Sequence, residues 1–153
     1  MKRLLFLQIA IFLLYWKILQ SGFVFDDRFL IIQYDDLDLN RIWFSELWSF
    51  SENRTGFYRP LFLCSLYLDQ LLFEKNALGY HVHSLLWHLS AVSSLWVILF
   101  RKKEYFGFSD VDVFMTTAIF GLHPFCSEVV YWISARNDSM CLTLSLLSIF
   151  FFL

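Results

Sequence analysis

The feature that most restricts this fold is a largely apolar run from Leu4 to Phe25, set directly behind Met1-Lys2-Arg3 and interrupted by Gln8, Lys17 and Gln20. About twenty residues of helix suffice to cross the hydrocarbon core of a bilayer. A secretory signal peptide has a similar basic start, but its apolar region is only about 7–15 residues and ends in small residues. Here bulky Leu, Phe, Tyr and Trp continue to Trp16, and no A-x-A-like site follows. The run reads as an uncleaved membrane helix. Lys17 then falls toward its far end, where a lysine snorkels to the interface or meets a lipid phosphate.

The rest of the chain agrees with a membrane setting. Of the 153 residues 58% are hydrophobic and 17% charged, against about 45–50% and about 25% in a soluble domain. Nineteen Phe and six Trp would overfill any core that so short a chain could enclose, so lipid must cover some of them. The formal net charge of −2 and the lack of a clustered basic face argue against a nucleic-acid partner. Cys64, Cys126 and Cys141 have no CxxC or Cys/His spacing and read as small hydrophobes; Cys64–Cys126 is the only pairing that could share one face.

Five segments follow from the pattern: a first span over 1–25, an outer loop over 26–78, and further spans over 79–100, 105–122 and 129–153. Residues 26–59 carry seven acids, among them Asp26, Asp27, Asp35, Asp36 and Asp38, interleaved with aromatics such as Trp43, Phe44 and Trp48. Aromatics among charges suit a loop lying against headgroups. Asp38 to Ser49 is expected to form an interfacial helix with Ile42 and Leu47 toward lipid. Pro60 suits a first helical position and opens Leu61 to Phe73, a stretch short enough, with Asp69 inside it, to be re-entrant or interfacial. Arg101-Lys102-Lys103 closes the span that begins at Gly79-Tyr80. His123-Pro124 ends the next one, because proline disfavours helix in the residue before it. The fold class expected is an all-α membrane protein of about four transmembrane helices with interfacial helices in the first outer loop.

Orientation rests on the basic residues. Two crossings separate Lys2-Arg3 from Arg101-Lys102-Lys103, so both lie on one side, and positive charge marks the cytoplasm. The acidic loop and the His123-Pro124 turn then share the other side. That convergence is what a site requires.

Residue by residue, bland readings compete with sharper ones. Asp26-Asp27 suits either a solvated exit turn or a general base toward an acceptor hydroxyl, a role served by a carboxyl whose pKa burial has raised. Glu128, Arg136 and Asp138 sit beside or inside an apolar run, where ionisable groups are expensive and face a cavity or one another. They suit an internal ion pair, or a phosphate held by Arg136 in bidentate fashion. His81, His83 and His88 begin a span without the i, i+4 spacing and further ligand of a zinc site, and read as hydrogen-bonded packing groups. Asn53-Arg54-Thr55 fits the N-glycosylation acceptor pattern.

Four ordered segments carry a family likeness: Phe23-Val24-Phe25-Asp26-Asp27; Tyr58-Arg59-Pro60-Leu61; Gly79-Tyr80-His81 through His88; and H-P-F-C-S-E-V-V-Y-W-I-S-A-R-N-D from His123 to Asp138. In this order and spacing the chain, from about Gly22 onward, resembles the amino-terminal membrane region of GT-C glycosyltransferases. The likeness is closest to the O-mannosyltransferases with tetratricopeptide repeats and their bacterial relatives. The resemblance implies transfer of a sugar from a polyprenyl-phosphate carrier to a protein or glycan acceptor on the outer or lumenal side of a bacterial inner membrane or endoplasmic reticulum. It implies Asp26 and Asp27 as the catalytic acidic motif. Arg59, His123, Glu128, Arg136 and Asp138 would shape the donor site. No metal ligands or cofactor are assigned, and a divalent metal stays open. Ser84 departs from the pattern, standing where the family has asparagine.

Length sets the alternative. Met140 to Leu153 cannot cross about 30 Å unless the helix begins near Val129, and Phe151-Phe152-Leu153 has no polar cap. The expectation is a piece of a larger enzyme, inactive by itself; the alternatives are a small non-catalytic multi-pass protein or degenerate remnant, or an ion pathway built from the same charges.

Overall fold

The computed structural model describes residues 2–33, 39–44 and 57–152; the glycosylation pattern and most of the acidic loop lie outside them. The described residues are mostly helical and include no strand. Helix α1 (Lys2–Tyr15) tightens into a 3-10 stretch, Trp16–Gln20. A turn at Val24–Asp27 and one π-helical stretch, Arg28–Gln33, follow. Helix α2 (Leu39–Phe44) lies within the expected interfacial segment. Ile42 does not face lipid: it is fully buried beside Leu30, Phe62 and Tyr80, while Trp43 and Phe44 remain exposed.

Helix α3 (Pro60–Phe73) has proline in its first turn, where the missing N–H costs no intrahelical bond. A short turn leads to α4 (Ala77–Phe106), whose start is capped by the Asn76 side chain accepting from Leu78 N–H. At 30 residues, α4 extends about 45 Å and runs straight through Arg101-Lys102-Lys103. Those charges mark where the apolar surface stops, not where the helix stops. Lys and Arg are good helix formers and suit the negative end of the dipole. The stop comes at Gly107, whose φ of +68° is the left-handed cap geometry glycine adopts without cost.

Ser109 and Asp112 form a reciprocal capping box at the start of α5 (Asp110–Leu122). His123-Pro124 breaks that helix as expected; a 3-10 turn, Pro124–Cys126, leads to α6 (Ser127–Tyr131), with a 50° bend between the two parts. A further 3-10 turn, Ile133–Ala135, leads to α7 (Arg136–Phe152). Among the described residues, two helical stretches, Lys2–Gln20 and Ala77–Phe106, are long and apolar enough to cross a membrane, and a third if α5 and α6 form one bent span.

The long helices alternate in direction. At one end Lys2 and Arg3 line a cavity with Trp96, Phe100 and Asp110, Lys103 bonds Asp110 at 2.6 Å, and the Arg101 guanidinium lies 4.5 Å from the Phe150 ring centre. The basic groups thus share one end. The opposite end gathers residues 20–33, the start of α4 and the 123–136 segment. One core joins Phe62, Leu66, Tyr80 and Ile133, and a second joins Leu7, Ile11, Leu85, Val92 and Val130. Gln8, the polar break in α1, is satisfied by α4: its amide donates to Ser93 Oγ at 2.9 Å and Leu89 O at 3.2 Å. Such interhelical bonds hold helices together where lipid gives no hydrophobic drive.

Candidate functional site

The acidic motif sits in a tight turn. Asp27 N–H donates to Val24 O at 3.0 Å, and Phe25 takes φ +45°, a region that strains a side chain of its size and recurs at functional sites. The two aspartates differ in setting. Asp27 is fully buried. Its carboxylate accepts from Ser134 Oγ at 2.7 Å, Ser134 N–H at 2.8 Å, Ile133 N–H at 3.1 Å and Val24 N–H at 3.4 Å. Burial raises its pKa above the usual 3.8, and the four hydrogen bonds pull it partly back. Asp26 is half-buried, and its backbone oxygen accepts from Phe29 and Leu30 N–H.

The acidic turn is thereby joined to the 3-10 turn after α6, more than a hundred residues along the chain. Beside the joint lies an apolar cleft of about 580 Å³ lined by Ile18, Phe25, Ser127, Glu128, Tyr131 and Trp132. Phe25 is exposed and meets Trp132 edge to face at 5.9 Å. Behind the wall, fully buried His81 stacks on Tyr131.

The other expected site residues divide. Glu128 is exposed on the cleft wall. His123 is exposed, its Nδ1 accepts from Phe125 N–H at 3.3 Å, and its ring stacks on Phe125. Asp138 is exposed on the first turn of α7, beside the Asn137 amide at 3.4 Å. Arg59 stands just before α3 with its guanidinium 5.1 Å from the Phe57 ring centre, and no described contact joins it to Asp27 or Glu128.

Arg136 is fully buried, and its partners are all internal. Nη1 bonds Asp69 at 2.5 Å and Ser65 Oγ at 3.3 Å, Nη2 donates to Tyr80 O at 2.8 Å, and Nε donates to Ser84 Oγ at 3.0 Å. An ion pair does form, with Asp69 of α3 rather than with Glu128. The second Asp69 oxygen bonds His83 Nδ1 at 2.5 Å, and Trp87 Nε1 donates to His83 Nε2 at 3.1 Å. The indole bond leaves Nε2 as an acceptor, so the His83 proton sits on Nδ1. His88 meets Gly121 O at 3.0 Å and His81 Nδ1 meets Val130 O at 3.4 Å, so each histidine has a packing partner. All three cysteines are free thiols. No cluster of metal-binding side chains occurs among the described residues.

Sequence reasoning noted Asp69 and Ser84 without pairing them with Arg136, and did not single out Ser65 or Ser134. A usable signal existed for Asp69. An acid inside one apolar helix and an arginine inside another each demand a partner, because unpaired charge at that depth is expensive.

The fold and site together define a helical membrane protein with its acidic turn, Glu128 and the Asp69–Arg136 pair toward one end. Within that class the chain is similar to protein O-mannosyl-transferases. It is 31% identical to the human protein O-mannosyl-transferase TMTC3 over 146 residues, 91% of this chain and 15% of that protein. It is 29% identical to Drosophila melanogaster protein O-mannosyl-transferase Tmtc1 over 147 residues, 90% of this chain and 17% of that protein. The Caenorhabditis elegans protein O-mannosyl-transferase F38B6.6 is 27% identical over 139 residues, 86% of this chain and 20% of that protein. These relatives bear out the likeness read from the motifs, and the chain spans a fifth or less of their length. No protein-family model matches the chain, and no solved structure does.

Proposed function

We propose that this chain supplies the acidic turn and adjoining cleft of a mannosyltransferase-like glycosyltransferase of the GT-C type. The donor is a polyprenyl-phosphate-linked sugar, and the acceptor is a protein or glycan on the outer or lumenal face. The observation that carries this reading is the bond from Asp27 to Ile133 and Ser134, which brings the acidic motif beside the cleft wall bearing Glu128. Basic residues at the opposite end support a cytoplasmic position for that end.

The two aspartates divide the work. Asp27 has its lone pairs occupied by four donors, so it holds the turn. Asp26, whose carboxylate has no hydrogen-bond partner among the described residues, is the general base toward the acceptor hydroxyl. Glu128, His123, Asp138 and Arg59 form the donor side, with Arg136 supporting them from behind. An apolar cleft with aromatic walls suits the isoprenoid stem next to the sugar.

The test is photolabelling of membranes containing the chain with a diazirine-bearing polyprenyl-phosphate mannose. Labelling should fall on the Glu128–Trp132 peptide and be displaced by unlabelled donor. Where transfer to acceptor is followed, Asp26→Asn should reduce it about 100-fold or more, the usual worth of a general base. Absence of displaceable labelling would overturn the donor site, and undiminished transfer by Asp26→Asn would remove the base.

A further inference from the structure

We infer that Asp69 is a positioning residue: its ion pair with Arg136 fixes the 3-10 turn that seats Asp27 and so sets where the acidic motif stands. As a statement about catalysis, this rests on the function proposed above.

The geometry runs through a short chain of contacts. Both side chains of the pair are buried, at 0% and 1% exposure. Arg136 spends three nitrogens on four oxygens of α3 and α4, so its position is determined from two helices at once. It is also the first residue of α7 and directly follows the Ile133–Ala135 turn. The N–H groups of that turn hold Asp27. Moving Arg136 therefore moves the donors on which Asp27 rests.

The same pair fixes α3. Arg59 precedes that helix, ten residues before Asp69, a distance of roughly 15 Å along the axis. Arg59 lies too far along α3 to touch the pair, so the effect of the pair falls on the acidic turn. His83 and Ser84 reinforce the pair: the histidine holds the other oxygen of Asp69, and Ser84 Oγ accepts from Arg136 Nε. A purely stabilising role would not require this wiring. Replacing a buried pair by apolar residues is often neutral for stability.

The experiment is hydrogen exchange, followed by mass spectrometry, on the chain in lipid nanodiscs. It compares the unaltered chain with Asp69→Asn. The amides of Ile133 and Ser134 should exchange at least tenfold faster in the variant, with α4 amides around Ala91–Ile98 unchanged. Unchanged exchange at 133–134, or a uniform rise through all helices, would overturn the inference. If Asp69→Asn fails to accumulate, Asp69→Glu keeps the charge and shifts Arg136 by one methylene, and the same local acceleration is required of it. In the transferring protein, Asp69→Glu should lower kcat with little change in donor KM; an equal loss through KM alone would also overturn it. Exchange needs no activity. Local acceleration without any donor labelling would count against the function and leave the positioning role standing.

Discussion

Replacing Asp27 gives the most direct test of the tertiary joint. In Asp27→Ala the buried N–H of Ile133 loses its acceptor, and so do the N–H and hydroxyl of Ser134. A buried donor left unpaired costs about 1–3 kcal/mol. The Ser134 groups are only partly buried, so water recovers part of their loss, at about 1 kcal/mol each. The sum is about 3–5 kcal/mol. Asp27→Asn keeps its carbonyl toward Ser134 but turns an NH₂ toward Ile133 N–H, one lost bond and a donor–donor contact, for about 2 kcal/mol. Equilibrium unfolding in mixed micelles of rising SDS fraction measures both. The pH dependence has a definite sign. Burial lifts the Asp27 pKa above 3.8, so just above pH 3.8 the folded chain retains a proton that the unfolded chain has released. The stability from this group is therefore full below that pH and falls as pH rises through the lifted value. Asp27→Asn should flatten that slope. An alanine variant within about 0.5 kcal/mol of the unaltered chain, well under the expected cost of unpaired donors, would refute the reasoning. So would an asparagine variant as damaged as alanine.

Two further perturbations follow from packing and backbone geometry. A Cβ added at Gly79 would overlap the Phe73 ring at its root, whereas one at Gly121 would meet the movable Ile11 Cδ1 at 2.7 Å; Gly79→Ala should therefore cost about 2–3 kcal/mol and Gly121→Ala clearly less in the same unfolding assay, and the reverse order would contradict the packing. Glu74 is exposed with φ +53° and ψ −118°, a conformation glycine reaches without strain, so Glu74→Gly should raise stability by about 1 kcal/mol; a lowered midpoint would contradict it.

Much of this molecule was legible in order along the chain. Apolar runs, the breaks at Pro60 and His123-Pro124, and the basic groups determined the helices and the end at which charge gathers, because helix formation and membrane burial are local properties of twenty or so residues. The motif order pointed to the glycosyltransferase likeness for a similar reason: spacing survives in a linear string. At Arg101-Lys102-Lys103 the sequence showed where the apolar run ends but not where the helix ends, which is at Phe106. What only the tertiary structure decided was partnership. Asp27 rests on Ile133 and Ser134, and Arg136 chose Asp69 rather than the nearer Glu128, two turns away on the chain. Buried charge and buried N–H groups must be paired somewhere, but that demand carries no sequence distance. Folding alone brought α3, α4 and the turn before α7 close enough to satisfy it.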